Sequence, residues 1–83
     1  MSLPKRWRSL DRSTVGRAPE RWGVYELGDD DGTVLDVDAG VLRDELKTAL
    51  AYADADQVRW EACQSREHAE RLADEHRERA GLS

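Results

Sequence analysis

Fifteen consecutive residues, Gly23 to Val37, read as strand, turn, strand, and this hairpin restricts the fold more than any other stretch of the chain. Val24 to Leu27 is short and strand-like. Gly28, Asp29, Asp30, Asp31 and Gly32 form a turn bracketed by glycines, with an Asp-Gly pair at its end. Thr33 to Asp38 follows as the antiparallel partner. Alternation along the pleat places Leu35 and Val37 on one face and Val34, Asp36 and Asp38 on the other.

The periodicity then changes. Leu42, Leu46, Ala49, Leu50 and Ala53 recur at the spacing of one helical stripe, and Asp38 is the expected cap of that helix. Gln57 to Cys63 alternates again as a third strand, with Trp60 as its central core residue. Ser65 caps a last helix whose inner stripe is Ala69, Leu72, Ala73, His76 and Ala80. Its outer face is laced by Glu67 with Arg71, Arg71 with Glu75, and Glu75 with Arg79. Gly81 supplies the stop. Ahead of the hairpin, Asp11 and Ser13 are helix caps while Gly16 and Pro19 are breakers, so at most a short helical turn fits there.

The order strand, strand, helix, strand, helix predicts an α+β fold: a three-stranded antiparallel sheet with flanking helices, after a short N-terminal arm. Residues 1–22 form the arm and residues 23–83 the domain. A chain of 83 residues makes one domain with a small core, burying roughly 60 to 65% of its unfolded surface.

Charge is divided unevenly. The arm has six basic side chains against two acidic, a net of +4, and the body has seven against sixteen, a net of −9. An arm of one sign on a body of the other is expected to fold back onto it. The sharper alternative is nucleic-acid contact through Lys5, Arg6, Trp7, Arg8 and Arg12, the cations displacing counterions from phosphates and the indole stacking on a base. Eighteen acidic residues, with eleven Arg against two Lys, resemble the surface of proteins adapted to molar salt. One cysteine, Cys63, builds neither an intrachain disulfide nor a zinc site, and reads as a buried thiol. No stretch approaches the roughly 18 to 20 apolar residues of a membrane span, and Met1 to Leu10 lacks the apolar core of a secretory signal. The expectation is a cytoplasmic protein with no membrane association.

From about residue 19 to residue 82 the chain resembles a GIY-YIG nuclease domain. The resemblance rests on Gly23, Val24 and Tyr25, the acidic Gly-bracketed turn, the strand ending in Asp36, Val37 and Asp38, the helix opening with Leu42, and a helix after the third strand. It implies two tyrosines, an arginine and a glutamate around one divalent metal and the scissile phosphate. Tyr25 matches the first tyrosine. Asp36 stands where the second belongs, and Asp38 replaces the motif glycine. The expected arginine falls at or beside Val41, with Arg43 two positions late, and the glutamate falls near Ala73, with Asp74 and Glu75 adjacent. Under this resemblance the chain is a degenerate member. The residual site candidates are Tyr25, Asp36, Arg43 and Glu75, with no cofactor and no metal.

Three functional readings follow. The first is a non-catalytic interaction or structural module with an unknown protein partner, acting as a monomer or weak homodimer. The second is a nucleic-acid-binding module using the arm. The third is a divergent metal-dependent nuclease built on Tyr25, Arg43 and Glu75, helped by Asp36. The acidic turn and the spacing of Asp29, Asp30, Asp31, Asp36 and Asp38 do not reproduce an EF-hand loop.

Overall fold

The computed structural model describes residues 6–81. Along the chain run β1 (Arg8–Ser9), α1 (Arg12–Arg17), β2 (Trp22–Gly28), β3 (Val34–Val41), α2 (Leu42–Tyr52), β4 (Gln57–Ala62) and α3 (Arg66–Arg79). The class is α+β, and the strands form one four-stranded antiparallel sheet in the order β1-β4-β2-β3. The expected sheet of three strands therefore gains a fourth from the arm, where Arg8 pairs with Val58 and Ser9 with Gln57. Two polar residues have no alternation to betray a strand.

Helices cover both faces. Alternation along β2 turns Tyr25 and Leu27 to one side, where α1 and α2 pack on them with Val15, Ala18, Leu42, Leu46 and Ala49. Val24 faces the other way and meets Val37, Cys63, Ala69 and Ala73 beneath α3. The α2 stripe lies on the face its periodicity gives, and Ala69, Ala73 and His76 of α3 are buried.

Capping follows local chemistry at two helices. Asp11 Oδ1 accepts the Thr14 N–H at 2.8 Å, and Ser65 Oγ accepts the His68 N–H at 3.2 Å. Asp38 caps nothing. It lies inside β3, which runs through Val41 directly into α2 and leaves no position for a side-chain cap. The arm takes that role: Arg21 O accepts the Leu42 N–H at 2.8 Å and Pro19 O accepts the Arg43 N–H at 3.2 Å.

Three further expectations change. In β3 the register pairs Leu27 with Asp36 but Gly28 with Val34, leaving Leu35 as the extra residue of a bulge. Val34 thereby joins Val37 beneath α3, and Leu35 is 43% exposed. Trp60 is half-buried at the rim of the core, with the Arg8 guanidinium 5.3 Å from its ring centre. Among the described residues α3 forms the ion pairs Arg66–Glu70 at 2.9 Å, Arg77–Asp74 at 3.2 Å and Arg77–Asp38 at 3.5 Å, and not those expected around Arg71. Among the described residues no helix is long and apolar enough to cross a membrane.

Candidate functional site

Tyr25 sits in the middle of β2, opposite Asp38 on β3 and Trp60 on β4. Its ring is buried against α2 and its hydroxyl donates to Glu45 Oε1 at 3.3 Å. Glu45 occupies the first turn of α2 and lies over Gly40 of β3. A Cβ at position 40 would stand 2.4 Å from Glu45 Cγ, so only glycine lets this carboxylate rest on the strand. Burial above all, then Glu45, Asp38 and Asp36, hold the Tyr25 phenol far above its ordinary range.

A cleft of about 230 Å³ opens beside the ring. Tyr25 and Leu27 form its floor, Asp36 one rim, and Glu45, Ala49 and Tyr52 of α2 the opposite wall. Tyr52, in the last turn of α2, is 86% exposed. Among the described residues, no lysine, arginine or histidine lines this cleft.

The sequence candidates divide. Tyr25 and Asp36 share the cleft. Arg43 does not reach it: its guanidinium is bound to Glu20 at 2.8 Å, to Ala18 O at 3.0 Å and to Gly16 O at 3.4 Å, tying α2 to α1. Glu75 is exposed on α3, which packs on the other face of the sheet. Tyr25, Arg43 and Glu75 thus point to three separate places.

Asp36 and Asp38 have a second occupation. β3 is an edge strand, and side chains bond the Val37 N–H and carbonyl and the Ala39 N–H on it. The Val37 N–H donates to Asp36 Oδ1 at 2.9 Å and the Ala39 N–H to Asp38 Oδ1 at 2.8 Å. The Val37 carbonyl accepts from Arg77 Nη2 at 2.6 Å and Nε at 3.1 Å. The charges and the Leu35 bulge leave this edge a poor template for another strand.

Among the arm candidates Trp7 packs on the body, while Arg6 and Arg8 are exposed. Trp7 covers Gly28, where a Cβ would stand 2.6 Å from the indole, and its ring stacks with the Arg59 guanidinium at 4.0 Å. Arg59 in turn donates to the fully buried Glu26 at 2.6 Å. Arg6, Arg8, Arg59 and Trp60 line a second cleft of about 220 Å³. Arg12 is exposed on α1, and Lys5 lies outside the described residues. In the turn, Asp29 Oδ1 accepts from the Asp31 and Thr33 amides at 2.9 Å, so that carboxylate shapes the hairpin.

Residues 1–79 match the sequence pattern of the domain of unknown function DUF7508. The chain belongs to that family. No curated protein and no solved structure matches it. The DUF7508 match spans the arm, with β1 and α1, as well as the body. Three groups of this DUF7508 domain escaped the sequence reading: Glu45, Tyr52 and the Glu26–Arg59 pair. Only the last left a trace, as an acid between Tyr25 and Leu27 in a strand otherwise read as core.

Proposed function

We propose that this domain is a non-catalytic interaction module of GIY-YIG-like shape. Support for the shape comes from the run β2, β3, α2, β4, α3 and from Tyr25 on the middle strand facing α2. One observation carries the non-catalytic part. The Tyr25 hydroxyl donates to a carboxylate, in a cleft rimmed by a second carboxylate and lined, among the described residues, by no cation. A phosphodiester brought there meets repulsion from Glu45 and Asp36 and finds no guanidinium to neutralise charge during transfer. A buried phenol held in its neutral form is also a poor base for activating water. Purified protein incubated with supercoiled plasmid or single-stranded RNA, in Mg²⁺ or Mn²⁺, is expected to leave both intact. Metal-dependent cleavage that disappears in Tyr25→Phe overturns this reading.

The second cleft favours an additional role for the arm. Arg6 and Arg8 flank Trp60, a combination suited to a phosphate and a base. This reading expects binding to single-stranded nucleic acid that weakens with salt and with Arg6→Ala plus Arg8→Ala. Absence of binding at low salt removes it.

A further inference from the structure

The Tyr25 cleft has a chemistry opposite to that of a phosphate site, and this gives the module a partner class. We propose that the cleft receives the cationic side chain, lysine or arginine, of a basic segment in a partner protein. The inference rests on the interaction-module reading and names what that module grips.

Size comes first. At about 230 Å³ the cleft is smaller than the roughly 300 to 1,000 Å³ of pockets that enclose whole small molecules, and it suits one long side chain. Its floor is apolar, with Leu27, Ala49 and Ala53 available to cover a methylene stem. Two aromatic rings, Tyr25 and Tyr52, lie along it, and a cation close to a ring face is attracted by the ring quadrupole. Glu45 and Asp36 supply full negative charges for the head group.

The helix adds an independent contribution. α2 carries Asp44 and Glu45 in its first turn but no basic residue in its last, so no side chain of its own last turn balances the negative end of its dipole. That end is where Tyr52 and Ala53 border the cleft. A peptide cation docking there completes the helix as a C-terminal lysine or arginine would. The cleft offers two carboxylates, Glu45 and Asp36. Among the described residues, only Asp29, Asp30 and Asp31 bring three candidate ligand atoms within 4.8 Å of one another. The surrounding body, with its net charge of −9, draws a basic partner toward the cleft from a distance.

The test uses the full chain and amide NMR. Three probes are titrated: a capped Gly-Gly-Lys-Gly-Gly peptide, the same peptide with norleucine for lysine, and free spermidine. The lysine peptide is expected to shift the amides of Tyr25, Thr48, Tyr52 and Ala53, and the norleucine peptide to leave them in place. Asp36→Asn with Glu45→Gln is expected to weaken binding about tenfold or more, a change of one order in Kd. Tyr52→Ala, at an exposed position that does not endanger folding, should weaken it about threefold, the scale of one exposed cation–π contact. Equal binding of the norleucine peptide, shifts confined to other surfaces, or spermidine binding without peptide binding each overturns the proposal. Nucleic-acid cleavage by the protein would instead refute the non-catalytic reading, and leaves the titration to be judged by its own result.

Discussion

Removing Arg59 tests how the domain holds an acid in the middle of its sheet. The Glu26 side chain is 0% exposed and that of Arg59 11%, with 2.6 Å between Oε1 and Nε. Arg59→Met keeps most of the stem's volume but takes away a positive charge that faces Glu26. Breaking a buried pair from one side costs about 3 to 5 kcal/mol, because the remaining charge stays where water cannot reach it. Loss of the stack with Trp7 adds about 0.5 to 2 kcal/mol. A chain of 83 residues has a total stability of about 4 to 12 kcal/mol, so this one substitution removes a large part of it. Urea unfolding followed by tryptophan fluorescence measures the loss. Adding Glu26→Met to Arg59→Met replaces both charges with apolar groups and is expected to recover most of it. A loss below about 1 kcal/mol for Arg59→Met, or strict additivity in the double variant, would refute the reasoning.

The sealed edge of β3 makes a second prediction: Asp36→Ala, Asp38→Ala and Arg77→Ala combined free the Val37 and Ala39 backbone groups. Sedimentation should then show stronger concentration-dependent association than the parent chain does; a triple variant that associates no more than the parent contradicts the edge argument. Gly28→Val places a Cβ 2.6 Å from Trp7 and should displace the indole, shift fluorescence to longer wavelength and cost about 1 to 3 kcal/mol; unchanged emission shows that Trp7 does not rest there. Cys63 is 4% exposed, and burial above all, then Glu61, raises its thiol above the ordinary range. Maleimide should therefore label it slowly in native protein and rapidly in urea, and equal rates would refute its burial.

Much of the body was legible because each signal was local. The Asp-Gly turn, the Leu42, Leu46 and Ala49 stripe, and the caps at Asp11 and Ser65 all act within a few residues of themselves. What escaped depends on distant neighbours. β1 exists because Val58 and Gln57 offer an edge to Arg8 and Ser9. The Leu35 bulge reverses the face of Val34, and a pleat read with strict alternation cannot foresee an inserted residue. Asp38 looked like a cap because it precedes a helical stripe, yet α2 begins where the arm's carbonyls meet it. At the site, Tyr25 and Asp36 lie in the hairpin, whereas Glu45, which accepts the Tyr25 hydroxyl, comes from another element twenty residues on. Arg43 and Glu75 were chosen by proximity in sequence, and the helices carry them away from the cleft.

Tyr25 is a neutral hydrogen-bond donor within the fold. Its folded value lies above the unfolded phenol's, so its contribution to stability is complete below about pH 10 and is lost as pH rises beyond that. The chain has two tyrosines, so Tyr52→Phe leaves Tyr25 as the single phenol. An absorbance titration of that variant, with the fold followed by circular dichroism, is expected to show no phenolate until the protein unfolds. Reversible ionisation near the ordinary value of about 10 in the folded protein would contradict the account.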